Sequence, residues 1–69
     1  MKTISGKEFA KILERKGWTL KRINGSHFIY YHPDKIEIIS LPVHKNDDLK
    51  KGLQKKLMSI ASINDAELS

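Results

Sequence analysis

The sequence predicts an α+β domain with the element order α-β-β-β-α, in which both helices lie on one face of a three-stranded antiparallel sheet. Amphipathic helical patterns stand towards both ends of the chain, three short β-rich runs lie between them, and tight-turn signals separate those runs. Short connections favour antiparallel pairing, and two amphipathic helices bury their apolar stripes most economically on the same sheet face. A chain of 69 residues has room for one domain, over residues 1–69.

The first helix is predicted over residues 6–16. Ser5 can cap its start, and Glu8 three residues later completes a capping box. Gly17 suits the left-handed position that ends many helices. One face carries the apolar residues Phe9, Ile12 and Leu13.

The three strands are predicted over residues 18–23, 27–31 and 35–41. Asn24-Gly25 is a strong hairpin signal between the first two strands, because both residues tolerate positive φ. Pro33-Asp34 marks the second turn.

Alternation along the second strand divides its side chains between the two sheet faces. We expect Phe28 and Tyr30 to face the helices, which sends His27, Ile29 and Tyr31 to the other side. A slip of one residue at the turn would reverse this assignment.

The last helix follows a loop that begins after Pro42. We expect Asp47 to cap it and Gly52 to weaken its first turn, so that regular helix begins near that glycine. Residues 64–69 are polar and are predicted to form a loose tail. The apolar stripe of the helix consists of Leu49, Leu53, Leu57, Ile60 and Ala61.

The composition is that of a basic protein and is compatible with a reducing compartment. Thirteen Lys and Arg residues against eight Asp and Glu give a formal charge of +5, which favours polyanionic partners, although lysines also keep a small surface soluble. The absence of cysteine excludes disulfides and fits the cytoplasm. No apolar run approaches the ~20 residues of a membrane span, so we predict no membrane association.

Gly25-Ser26-His27 is the segment most suggestive of chemistry. A tight turn there would present an imidazole, which exchanges protons near neutral pH, close to Lys21 and Arg22, which attract phosphate. We therefore predict RNA cleavage, with His27 as general acid/base, the two cations holding the phosphate and Ser26 orienting the ring or donating to a phosphate oxygen. The competing interpretation of His27 is a turn histidine hydrogen-bonded to the backbone.

Further candidates are less specific. His44 can act as a second proton carrier or an anion contact, although a loop histidine packed on the helix start is the simpler interpretation. Tyr31 is a candidate platform for stacking bases, whereas Trp18 and Tyr30 are better explained by the core, and His32 by an exposed turn. The spacing of the three histidines matches no metal pattern, so we predict no metal and no cofactor.

One ordered set of motifs spans nearly the whole chain: Ser5-Gly6-Lys7-Glu8, Leu13, Gly17-Trp18, Gly25-Ser26-His27, His32-Pro33-Asp34, Leu41-Pro42-Val43-His44, Gly52 and Leu57-Met58. In these motifs and their spacing the chain resembles the HicA family of bacterial toxins, small mRNA interferases of type II toxin–antitoxin systems. The sequence departs from the family pattern at Gly52-Leu53-Gln54, which lacks the Thr that often caps the last helix, and at Ser62, where a glycine usually ends it.

This resemblance implies a fold like that of double-stranded-RNA-binding domains and an endoribonuclease that cleaves mRNA and halts translation. It implies that His27, in the Gly-Ser-His motif, is catalytic. It also implies a HicB-type antitoxin that masks this histidine, with operator DNA bound only through the toxin–antitoxin complex. Two other hypotheses remain open at this stage: a non-catalytic RNA-binding module, and an interaction protein whose open sheet face pairs with another chain.

Overall fold

The computed structural model describes residues 1–68 and has the predicted α-β-β-β-α order, followed by a short 3₁₀ helix. The sheet is antiparallel, with β2 between the two edge strands. The bounds are α1 Gly6–Arg15, β1 Thr19–Asn24, β2 His27–Tyr31, β3 Ile39–Pro42, α2 Lys51–Ala61 and the 3₁₀ helix Asp65–Leu68.

Helix α1 begins and ends where its local signals predict. The Ser5 Oγ accepts a hydrogen bond from the Glu8 backbone N–H at 3.1 Å, and the Glu8 carboxylate accepts one from the Ser5 N–H at 3.2 Å. This capping box satisfies two N–H groups that the helix leaves without partners. Gly17 follows the helix with a φ of +92°, a conformation that glycine adopts without a steric penalty.

Both helices pack on one face of the sheet, and the predicted facing of β2 is confirmed. Tyr30 is 1% exposed, and Phe28 packs against the same core, whereas His27 and Tyr31 are exposed. Ile29 lies between them on the outer face, outside the core cluster, and is nevertheless buried. The buried cluster joins the apolar sides of the helices to the inward residues of β2 and β3, including Phe9, Leu13, Tyr30, Ile39, Leu41, Leu57 and Ala61.

The first turn lies one residue later than Asn24-Gly25. Asn24 pairs with His27, so the two central residues are Gly25 and Ser26. Of these, only Gly25 has a positive φ, at +59°, which is the pattern of a type II′ turn. The type II′ turn needs glycine only at its first central position, and Asn24 therefore stays in the strand.

The third strand is shorter than predicted. It begins at Ile39 rather than at residue 35, because β2 ends at Tyr31 and the last residue pair is Tyr30 with Ile39. Ile36 is 97% exposed and Ile38 55% exposed, so the apolar alternation before Ile39 does not reflect burial.

The prediction that Asp47 caps α2 was wrong. The helix begins at Lys51, close to Gly52 as expected, and its N-cap is Lys50, whose side chain makes no capping hydrogen bond. The buried Gln54 instead ties α2 to the N-terminal segment. Its Oε1 accepts from the Ile4 N–H at 2.9 Å, and its Nε2 donates to the Lys2 carbonyl at 2.7 Å.

Residues 64–68 are not the loose tail that their polarity predicts. Leu68 is 6% exposed in the core, and the Glu67 carboxylate lies 2.9 Å from the Lys16 Nζ. One apolar anchor and one ion pair therefore hold the 3₁₀ helix against α1. The final residue of the predicted tail, Ser69, lies outside the described residues.

Candidate functional site

His27 stands at the first position of β2, directly after the tight turn, with an exposed side chain. The structure places it on the outer face of the sheet, opposite the helices. Its backbone pairs with Asn24 on β1 and with Pro42 on β3. Pairing on both sides fixes the Cα–Cβ direction of His27 and holds its imidazole towards solvent.

A backbone hydrogen bond joins the turn to the segment that follows β3. The Ser26 carbonyl accepts a hydrogen bond from the Val43 N–H at 2.8 Å, which extends the β2–β3 pairing one step beyond Pro42. Among residues 1–68 the Ser26 hydroxyl makes no hydrogen bond, so the predicted orientation of the imidazole by this group is not seen. The contact that Ser26 does make is through its backbone.

Arg22 lies on the same sheet face as His27. It pairs with Ile29, which is two residues from His27 along β2, so Arg22 and His27 are diagonal neighbours. Such neighbours are about 7–8 Å apart, within reach of a long side chain. Lys21 is the extra residue at the irregularity between Leu20 and Arg22, where a bulge re-aims the strand.

Neither cation is neutralised by a carboxylate in the described part of the chain. The one ion pair among residues 1–68 joins Lys16 to Glu67, on the opposite side of the sheet. All six residues of β1 are exposed. Both cations therefore present positive charge to solvent, Arg22 as the diagonal neighbour of His27 and Lys21 further along β1, where it lines a surface cavity with Tyr31. Such a charged face suits an anionic ligand.

The structure brings His44 next to His27, a proximity that sequence analysis did not predict. The two ring centroids are 6.4 Å apart, and the ring planes lie at 77° to each other. Both side chains are exposed. The proximity arises because His27 pairs with Pro42, two residues before His44, and such a register cannot be read from local sequence.

The segment that carries His44 is constrained on several sides. A Cβ at Gly6 would collide with the Pro42 carbonyl oxygen and would lie 3.1 Å from the Val43 Cα, so only glycine allows α1 to approach so closely. The His44 carbonyl accepts a hydrogen bond from the Asp47 N–H at 3.0 Å. Lys45 has a φ of +53°, a strained conformation that is often found beside functional residues.

The remaining aromatic candidates fall into two groups. Tyr31 is 43% exposed on the outer face, four residues from His27 along β2 and thus about 13 Å away. Trp18 is buried, as predicted, and Tyr30 is buried with its hydroxyl donating to the Glu14 carboxylate at 2.8 Å. Burial, followed by this hydrogen bond, raises the pKa of Tyr30 well above its usual range.

His32 is not the exposed turn residue that its position predicts. It is half-buried, its ring centroid lies 5.4 Å from that of Trp18, and its Nδ1 accepts a hydrogen bond from the Asp34 N–H at 3.0 Å. These contacts give His32 a structural role away from the two outward-facing histidines.

A shallow cavity of about 330 Å³ adjoins the pair of histidines on the His44 side. Its lining is largely apolar, with Leu49 and Leu53 at its base and Asp47, Asp48 and Lys50 at its rim. A flat aromatic or heterocyclic group bound beside His44 would find room there.

The site therefore combines two exposed imidazoles with the guanidinium of Arg22, which has no carboxylate partner among residues 1–68. Such a set can bind an anion and exchange protons with it. Within residues 1–68 no three side chains of the metal-binding types converge on one point, and neither helix has the length and apolarity needed to cross a membrane.

Comparison with known proteins places this geometry in context. The model of a protein family described as HicA toxin of bacterial toxin–antitoxin matches residues 6–67, which include every element from α1 to α2 and both exposed histidines. No curated protein sequence matches the chain significantly.

Proposed function

The chain belongs to the HicA family of bacterial toxin–antitoxin toxins, and we propose that it acts as an endoribonuclease that cleaves mRNA and thereby inhibits translation. The observation that carries the proposal is the exposed imidazole of His27, held by paired backbone beside Arg22 on an open face. An open sheet face admits a nucleic acid strand, which a closed pocket would not.

In this proposal His27 takes the proton from a ribose 2′-hydroxyl. The 2′-oxygen then attacks the adjacent phosphorus, the bond to the 5′-oxygen breaks, and the products are a 2′,3′-cyclic phosphate and a 5′-hydroxyl. Lys21 and Arg22 hold the phosphate and stabilise the charge that grows on it. Gly25 and Ser26 allow the strand to approach the turn, and Tyr31 provides a stacking surface further along it.

The proposed partners follow from the family and from the charge. We propose that a HicB-type antitoxin covers the face that carries His27, and that operator DNA is bound only through the complex of toxin and antitoxin. A net charge of +5 suits both an RNA substrate and an antitoxin with an acidic surface. The proposed site of action is the cytoplasm, where mRNA is translated.

Replacement of the proposed catalytic histidine tests the function directly. His27→Ala should reduce cleavage of a mixed-sequence RNA by at least about 100-fold, the usual contribution of a general acid or base, and should abolish growth arrest. Because His27 is exposed, the variant should keep the melting temperature of the original protein. EDTA should leave cleavage unchanged, and the 5′ fragments should end in a 2′,3′-cyclic phosphate.

His32→Gln is the matched control, because it changes a histidine that lies outside the proposed site. A His27→Ala protein that cuts RNA at the original rate contradicts the assignment of His27. Salt-sensitive RNA binding with no fragments at all would instead indicate the alternative, a non-catalytic RNA-binding module.

A further inference from the structure

The geometry points to His44 as the second proton-transfer residue of the reaction, the general acid that protonates the departing 5′-oxygen while His27 acts as the base. This inference rests on the proposed function. From the sequence alone, proton transfer was one of the roles open to His44, and packing on the helix start was the simpler interpretation. Three features of the structure support it: the spacing of the two rings, the rigidity of the His44 segment and the exposure of both imidazoles.

The spacing suits a phosphate bound between the rings. A group that transfers a proton must come within about 2.6–3.2 Å of the atom it serves. The ring centroids lie 6.4 Å apart, a separation at which both imidazoles can contact a single phosphodiester that lies across them. In that arrangement His27 serves the 2′-oxygen and His44 serves the 5′-oxygen of the same linkage.

Hydrogen bonding and close packing restrain the backbone of the segment that carries His44. The Val43 N–H is bonded to the turn that precedes His27, so the backbones on which the two histidines stand are directly joined. Gly6 lets α1 press against the Pro42 carbonyl from the other side. Lys45 is held in left-handed backbone immediately after His44, and the surrounding contacts must offset the cost of that conformation.

The balance of protons in the reaction requires a donor for the departing 5′-oxygen. The 2′-hydroxyl loses a proton to His27 as its oxygen bonds to phosphorus, and the alkoxide that leaves at the 5′-position must gain one. His44, protonated at the start, gives that proton as the P–O5′ bond breaks. Afterwards His27 carries the proton taken from the ribose and His44 is neutral, so the charges balance across the step.

A substrate with a sulfur leaving group shows whether His44 donates a proton or only binds RNA. The site that the original protein cuts is first mapped, and an oligonucleotide is then made in which sulfur replaces the 5′-oxygen at that linkage. A thiol has a pKa of about 8.5 against about 15.7 for water, so a thiolate departs without a proton donor, whereas an alkoxide does not.

His44→Ala should slow cleavage of the ordinary linkage by about 100-fold or more and of the sulfur linkage by less than about 10-fold. His27→Ala should be slow on both substrates, because the 2′-hydroxyl must lose its proton in either case. His32→Gln should match the original protein on both.

Two results overturn the role of His44 while leaving the proposed function intact. One is a His44→Ala protein that cuts the ordinary linkage at the original rate. The other is equal slowing on the two substrates, which indicates that His44 binds RNA without donating a proton. If the original protein cuts no RNA, the proposed function fails, and the inference fails with it.

Discussion

Ser62, the residue that ends α2, adopts left-handed backbone with φ 57° and ψ 43°. A residue with a Cβ pays about 1–2 kcal/mol for this conformation, and glycine avoids the penalty. The side chain of Ser62 offers little in return, since its Oγ makes only an exposed 3.4 Å contact with the Lys35 Nζ. The family resemblance marks this as a position where glycine is usual, and the backbone gives the physical reason.

Ser62→Gly should therefore stabilise the protein. The penalty that it removes exceeds the roughly 0.5–1 kcal/mol by which glycine favours the unfolded chain, so we expect a gain of about 0.5–1 kcal/mol in the free energy of unfolding. Urea denaturation followed by circular dichroism measures it. Ser59→Gly, at an exposed position within α2, should lose a similar amount; equal losses in both variants would contradict the argument.

At the scale of elements, Gln54 joins α2 to the N-terminal segment without any strand or helix between them. It is fully buried, and both polar atoms of its amide have backbone partners. This role cannot be predicted from the sequence, because a glutamine among lysines on a helix has the pattern of a solvated residue. The Gln54 side chain is buried because residues 2–4 pack against α2.

Gln54→Met tests this connection, because methionine keeps the length of the side chain and removes both hydrogen bonds. The Ile4 N–H would then be buried without its partner, and we expect a loss of about 1–3 kcal/mol in the free energy of unfolding. Lys55→Met, on the exposed side of the same helix, should change stability by less than about 0.5 kcal/mol. Equal effects at the two positions would show that the hydrogen bonds contribute little.

The elements that sequence predicted best are those whose signals are local. Helix α1 has its capping box and its final glycine within the segment itself, so its bounds were found to within one residue. The turn was misplaced by one residue, because Asn24-Gly25 and Gly25-Ser26 are both acceptable turns, and only the pairing of Asn24 with His27 distinguishes them. Local sequence does not encode that pairing.

In the candidate site, too, the local features were predictable from the sequence and those set by strand pairing were not. The exposure of His27 was predicted from the alternation along β2, which is a local property. Its proximity to His44 depends on the register of β2 against β3, which the predicted third strand of residues 35–41 did not fix. The start of β3 at Ile39 is likewise set by where β2 ends, and the apolar Ile36 and Ile38 gave a misleading signal.

For the whole molecule, two carboxylates make the free energy of unfolding depend on pH. Hydrogen bonds from the Ser5 backbone and side chain lower the pKa of Glu8 from its ordinary value, and the Lys16 ammonium with the Asn64 N–H lowers that of Glu67. A carboxyl whose pKa is lower in the folded state stabilises the fold above its unfolded pKa, here near 4.5. That stabilisation disappears as the pH falls through the folded value, because protons then bind to both states.

Glu67→Gln isolates the contribution of the C-terminal ion pair. The variant should be less stable than the original protein at pH 7, because a neutral amide does not attract the Lys16 ammonium that anchors the 3₁₀ helix to α1. The difference should shrink as the pH falls below 4.5, since protonation removes the charge from the original protein as well. Glu37→Gln is the control, because Glu37 is exposed and makes no ion pair with any other residue of 1–68. Urea denaturation at a series of pH values measures both variants, and a Glu67→Gln deficit that stayed constant from pH 7 to pH 3 would show that the carboxylate charge contributes nothing to the anchoring of the C-terminal segment.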